Sequence, residues 1–382
     1  MSLTFRHVDL ELVVPDWDSN LADAIRELDH LRRFRLGGST KPDLFFQLKH
    51  VFHLLESVGS ARIEGNRTTV AEYVEQKLES GDKSSESFHE IANIEKAMTF
   101  IEDSIEEGSD ITEKFIRELH SIIVKDLSPS NEGDNNPGSY RNVAVEISQS
   151  EHIPPICTSV ASYMDHLVCW INETHAERND LLKVAIAHHR FAWIHPFRNG
   201  NGRVVRALTY AMLIKYGFKV KHGQLINPTA VFCSDREKYY EMLAEADTGE
   251  NDGIKAWCEY VLMGVCEEMT KISVLLDHSS LAKRLLNPAI KIAADRKIIG
   301  PDEAVVLKMA VSKQIFKFKD VTDALPALTK DKRKNLLTRM KASELVSSVK
   351  PNGREYFINF RSRPLLRSII ETLEKENFIP SF

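Results

Sequence analysis

Apolar positions along this chain recur mainly three and four residues apart, the spacing that places them on one face of an α-helix. Leu21, Ile25, Leu28 and Leu31 mark one helix before a break at Gly37-Gly38, and Leu44, Phe45, Leu48, Phe52 and Leu55 mark a second. Gly65 follows that second run, and glycine readily takes the left-handed turn that closes a helix. Thr69 and Glu72 have the spacing of a capping box. Further helical periodicity runs from Ile91 to Ile105, from Thr112 to Val124 and from Asp180 to Ile194. After the polar loop Ser128 to Gly138 the pattern changes to alternation over Tyr140 to Ile147, which predicts a short strand, with Ser148 to His152 and Ile153-Pro154-Pro155 beyond it.

From roughly Asn287 the pattern shifts again. Pro301 to Val311, Phe318 to Leu325 and Thr329 to Leu345 read as three helices, and Val346 to Phe360 as a hairpin turning at Asn352-Gly353. Three helices and a wing predict a winged helix-turn-helix over residues 287–382. The fold expected is therefore mainly α, with a short strand in a helical body and a winged tail. A chain of 382 residues is long enough for two or three domains. Its net charge of -5 argues against nucleic-acid binding over the whole surface, but leaves room for one basic patch. Cys157, Cys169, Cys233, Cys258 and Cys266 form no C-x-x-C pair, so they suggest neither a disulfide framework nor a zinc site. Met1 to His7 lacks a signal-peptide pattern and no apolar run approaches a bilayer's span, from which a cytoplasmic protein with no membrane partner is expected.

The densest chemistry lies in His195-Pro196-Phe197-Arg198-Asn199-Gly200-Asn201-Gly202-Arg203-Val204-Val205-Arg206. Glycines on both sides of an asparagine let several backbone N–H groups converge on one point, a nest for phosphate oxygens. The helical pattern that follows puts this nest at a helix N-terminus, where free amides and the helix dipole favour anions. Arg203 and Arg206, three apart, share the helix's first turn and can clamp a polyphosphate. His195 is the nearby group suited to take a proton near neutrality. Adjacent His188 and His189 point to different helix faces without a partner of ligand spacing, so a core role is expected for them.

This segment resembles the signature of the Fic family, His-x-Phe-x-(Asp/Glu)-Gly-Asn-Gly-Arg-x-x-Arg, with Asn199 where the family usually has an acid. The resemblance implies transfer of AMP from ATP to a protein hydroxyl: His195 would be the base, and Asn201 with the amides of Gly200 and Gly202 would hold the α-phosphate. Arg203 and Arg206 would meet the β- and γ-phosphates. In the family the acid holds magnesium, so Asn199 is expected to be a weaker ligand for Mg2+ or Mn2+. Ser60-Ala61-Arg62-Ile63-Glu64-Gly65 is similar to the family's inhibitory motif, which implies that Glu64, on a helix over about residues 42–65 with Ser60 and Gly65, pairs with Arg206 and blocks productive ATP. The strand and the segment after it, about residues 140–156, are similar to the family's hairpin flap, on which a target polypeptide docks. Arg236 to Leu243 is similar to the segment whose tyrosine and leucine line the adenine pocket, here Tyr240 and Leu243, and Val145 and Arg198 join the expected nucleotide contacts.

The resemblance divides the chain into an extension (1–40), a Fic core (41–286) and the winged tail, and it implies an autoinhibited protein adenylyltransferase that also modifies itself. Two alternatives stay open: removal of AMP from a modified protein, and a degenerate nucleotide-binding protein that regulates DNA. The tail's third helix carries Lys330, Lys332, Arg333, Lys334, Arg339 and Lys341, with Lys350 and Arg354 on the wing, a face that suits DNA phosphates or the solvated surface of a protein-interaction or dimerisation module. Expected partners are ATP, a Ser, Thr or Tyr hydroxyl of a target protein and, left open, DNA and a second copy of the chain.

Overall fold

The computed structural model describes residues 5–33, 39–78, 85–147, 150–220 and 226–379. The expected break at Gly37-Gly38, residues Met1 to Thr4, and Ser148-Gln149 within the flap lie outside these residues.

Two compact units form, and they do not follow chain order. The first comprises residues 1–35, 56–68 and 84–270, and the second residues 36–55, 69–83 and 271–382. The two units are built from segments interleaved along the chain. The reason lies in helix Pro42–Ile63, which is buried on nearly every side: Leu44, Leu48, Val51 and Leu55 are buried in its first part and Val58, Ala61 and Ile63 in its last turns, with polar Gln47, Lys49, Glu56 and Ser57 buried between them. A helix buried on all sides must be covered along its whole length, and its two parts belong to different units.

In the first unit, helices Asp180–Ile194 and Asn201–Lys215 form the centre and pack on each other, with almost every residue of both buried. Helices Glu86–Ser104 and Glu113–Ile123 pack together beside them. Thr112 caps the latter by accepting from the Phe115 N–H at 3.1 Å, as the sequence predicts for that start. Helices Asn20–Arg33, Val160–Asn172, Pro228–Ser234, Arg236–Ala246 and Asn251–Ser273 complete the body.

The second unit holds helix Val70–Leu78, which opens with the expected box: the Thr69 N–H donates to Glu72 and the Glu72 N–H to Thr69. Its later part contains helices Pro301–Lys313, Phe318–Ala324 and Lys330–Ala342, then Arg363–Lys375. A small antiparallel sheet has strand β1 (Phe316–Lys317), β2 (Val346–Ser348) and β3 (Glu355–Ile358) in the order β1-β3-β2, pairing Phe316 with Tyr356 and Val346 with Ile358. Asn352 takes the left-handed conformation, φ +59°, that its turn requires. Helices and hairpin fall where the sequence places them. The basic face is smaller than its composition suggests, because Arg333 donates to the Leu325 carbonyl and Arg339 to Glu303.

The flap is the main departure. Residues 140–147 and 150–156 form no strand. The side chain of Arg141, 5% exposed, runs inward instead and donates to the carbonyls of Val143 (3.1 Å), Pro155 (2.5 Å), Ile194 (3.3 Å) and His195 (2.8 Å). One guanidinium thus fixes both arms of the segment and the end of helix Asp180–Ile194. Among the described residues no helix is long and apolar enough to cross a membrane.

Candidate functional site

The loop joining the two central helices is fixed at both ends by buried helices, so its geometry is set by the core. It opens at His195, the residue that closes helix Asp180–Ile194 in the left-handed region (φ +50°), and it ends at Gly200 (φ +77°). Any Cβ at Gly200 would press on Val124, so glycine is required by both conformation and space. Asn201 staples the loop: its Oδ1 accepts from the Phe197 N–H at 2.9 Å and its Nδ2 donates to the Phe197 carbonyl at 2.8 Å. The Asn201 side chain therefore shapes the loop on which the expected phosphate contacts lie. The first-turn N–H groups of residues 201–203 have no intrahelical acceptor and point an anion nest outward.

A residue the sequence reading passed over supports the loop from below. The buried His120 ring stacks on Phe197 with centroids 3.8 Å apart and planes 1° apart. Its Nδ1 accepts from the Gly138 N–H (2.8 Å), so the proton sits on Nε2, which donates to the Asn199 carbonyl (3.1 Å). Burial pushes the His120 pKa down to about 4, which keeps this neutral tautomer in place.

His195 is half-buried at the wall of a cavity of about 430 Å³. Its Nδ1 lies 3.4 Å from the Ala192 carbonyl, which favours the proton there and leaves Nε2 as the acceptor. Burial first, with nearby Arg141 adding to it, pushes its pKa down to about 4, so the ring is neutral at physiological pH.

Both arginines of the first turn are fully buried and both are already paired. Arg206 donates from Nε to Ser60 Oγ (2.9 Å) and from Nη2 to the Ser60 carbonyl (2.9 Å) and Glu64 Oε1 (2.7 Å). Gly65 (φ +103°) ends helix Pro42–Ile63 and leaves Glu64 at its last turn, as the spacing predicts. Burial pushes the Glu64 carboxyl up, but Arg206 and then Arg203 outweigh it and leave the group below its ordinary value. The approach is close enough that a Cβ on Gly202 would overlap the Glu64 carboxylate. Arg203 contacts Glu90 Oε1 at 2.9 Å and donates to Glu132, reaching its carbonyl (2.9 Å) and its Oε2 (2.7 Å).

The cavity is lined by His195, Arg198, Gly200, Gly202, Tyr240 and Leu243 among others, so the loop and the expected adenine segment share one space. Arg203 and Val145 do not line it. Arg203 lies behind its carboxylates. Beside Val145, where no strand forms, the neighbouring Glu146 and Ile147 reach the cavity. His188 holds this side together, bonding Thr209 Oγ1 at 2.7 Å and Tyr239 Oη at 2.9 Å, while His189 meets Asp247 at 2.9 Å.

The residues around the loop do not fit a divalent cation. Asn199 carries no charge, and its amide donates to the carbonyls of Gly133 (2.6 Å), Asn131 (3.3 Å) and Pro129 (3.5 Å). Of the carboxylates in the cavity wall, Glu64 and Glu132 face arginines and Asp247 meets His189. Among the described residues no three His, Cys, Asp or Glu side chains gather as a metal site.

These helices, with a glycine loop at the start of a buried helix, are those of a Fic fold. Residues 110–213 match the sequence model of the Fic/DOC family. Its fold is similar to that of a Fic family protein from Desulfovibrio desulfuricans (TM-score 0.56, 19% identity, 92% of this chain and 98% of that one). It is also similar to a Fic domain-containing signaling protein from Bacteroides thetaiotaomicron (TM-score 0.52, 22% identity, 68% and 98%). In sequence, the protein adenylyltransferase Fic of Drosophila melanogaster is 32% identical over 214 residues, 55% of this chain and 39% of that protein. The chain thus spans well under half the length of the curated relatives it matches.

Proposed function

We propose that this protein is an adenylyltransferase that moves AMP from ATP to a protein hydroxyl and is held at rest by Glu64. The observation that carries the reading is the pairing of Glu64 and Ser60 with Arg206, at 2.7 to 2.9 Å, on the first turn of the helix that begins at the glycine loop. The chain's similarity to proteins named as protein adenylyltransferases supports the reaction class.

In the reaction, the triphosphate rests on the N–H groups of the loop and on Arg206 once Glu64 has left it. Tyr240 and Leu243 offer the base an aromatic face and an apolar wall. The target hydroxyl oxygen attacks the α-phosphorus, a new P–O bond forms, the bond to the β-phosphate bridge breaks and pyrophosphate departs. His195 Nε2 takes the hydroxyl proton, and its neutrality makes that acceptor present before substrate arrives. The segment 140–156 borders this space through Glu146, Ile147, Ser150 and His152 and is where a polypeptide presenting the hydroxyl would lie.

His195→Ala tests the reading by separating binding from chemistry. ATP affinity should stay within a few-fold of wild type while transfer falls by about two to four orders of magnitude. Unchanged transfer would remove His195 from the base's role.

A further inference from the structure

We propose that Glu132 is a second carboxylate that an entering nucleotide must displace, and that Asn199 is the latch holding it against Arg203. The inference rests on the nucleotide reading above and adds to it a lock on the other arginine of the pair.

Glu132 lines the cavity and Arg203 does not, so the carboxylate stands between that space and the guanidinium. Arg203 is fully buried; its Nη1 meets Glu90 Oε1 at 2.9 Å, and its Nε hydrogen-bonds nothing among the described residues. Displacing Glu132 frees Nη2, a charged donor suited to phosphate oxygens. The loop that carries Glu132 is held down at both ends of its turn. The Ser128 N–H and Asn131 Nδ2 donate to the two carboxylate oxygens of Glu86, at 2.5 and 2.9 Å. Gly133 turns so tightly that a Cβ would overlap the Leu127 carbonyl.

The last restraint is Asn199, whose single amide group draws in the carbonyls of Pro129, Asn131 and Gly133. An aspartate or glutamate there would have no hydrogen to donate and would face three carbonyl oxygens and a nearby carboxylate with like charge. The residue that departs from the family signature is therefore the one that lets this loop close. Glu64 and Glu132 together put two carboxylates where a triphosphate would place its oxygens, so releasing one leaves the other in the way.

The test is ATP binding by calorimetry on the full chain at fixed ionic strength, with EDTA and no divalent cation, in a Glu64→Gly background. Adding Glu132→Gln should tighten binding roughly tenfold, the scale of one charge-assisted hydrogen bond. Adding Asn199→Ala, which changes no charge, should also tighten it, because the loop is released. If both double variants bind ATP as Glu64→Gly alone does, the lock is wrong. A parallel titration with Mg2+ in place of EDTA completes the test: if Asn199→Ala changes nothing in EDTA and only weakens ATP with Mg2+, Asn199 is a metal ligand and the latch is wrong. Failure of every protein to bind ATP, Glu64→Gly included, would overturn the nucleotide reading of the site and the lock with it.

Discussion

Replacing Arg141 with alanine tests the flap's construction most severely. Its guanidinium holds four carbonyls drawn from both arms of the segment and from the helix end before His195, and it is 5% exposed. A hydrogen bond from a charged donor contributes about 1.5–3 kcal/mol, and keeping an unpaired guanidinium's worth of dehydrated carbonyls costs more. Against this stands the several kcal/mol of desolvation that the buried cation itself carries. The balance for truncating one partner of such a buried network is about 3–5 kcal/mol. For a body of this size that lowers Tm by roughly 5–15 °C if the loss is global. If only the segment opens, the loss is capped at the free energy of local opening and appears as protease cleavage within residues 140–156. Arg141→Lys should behave almost as badly, because a point charge cannot span four carbonyls. Thermal denaturation by circular dichroism and limited proteolysis read both possibilities. A wild-type melt together with wild-type resistance to protease would refute the clamp.

Two further outcomes follow from the loop. Asn201→Ala removes both bonds to Phe197 and leaves a buried N–H and carbonyl without partners, so it should cost about 2–4 kcal/mol in chemical denaturation and abolish transfer, whereas Asn201→Asp, which keeps one acceptor, should cost less; equal stabilities would contradict the staple. The His120 pKa, pushed down by burial to about 4, lies below the ordinary histidine value of 6.5, so the unfolded chain binds more protons between those values. Stability should therefore fall as pH drops through that window, by up to about 3 kcal/mol from this ring, and remain flat above it. His120→Phe should be less stable at pH 7 yet lose less between pH 7 and pH 5 in urea titrations, and an unchanged slope would show that His120 does not titrate in this way.

Much of the site was legible because its parts lie close in sequence. The helix Asp180–Ile194, the glycine turn and the first-turn arginines form one run, and Ser60, Glu64 and Gly65 sit at spacings that local physics makes readable. The missing pieces act across the chain. Glu90 and Glu132 reach Arg203, and His120 reaches Phe197 and Asn199, from loops and helices whose periodicity says only that a position is buried or polar. The alternation over residues 140–147 predicted a strand, but alternation specifies faces and not a partner. Here Arg141 takes up carbonyls that a ladder would have used. The helix Pro42–Ile63 was readable as a helix, while its membership in two units was hidden, because burial along its whole length does not say which unit covers each part.

The central claim is that Glu64 keeps Arg206 from nucleotide, and radiolabel transfer from ATP labelled at the α-phosphate tests it most directly. Wild type, Glu64→Gly, Arg206→Ala and the double variant would be incubated with the label and followed for self-modification and for labelled bands in a lysate. Losing one charge-assisted bond of about 1.5–3 kcal/mol to Arg206 should raise transfer by Glu64→Gly roughly tenfold or more. Arg206→Ala and the double variant should both be inactive, since removing the lock by removing the arginine also removes a phosphate ligand. A rate for Glu64→Gly equal to or below that of wild type, with its circular dichroism spectrum unchanged, would contradict the account and leave Glu64 a structural partner of Arg206.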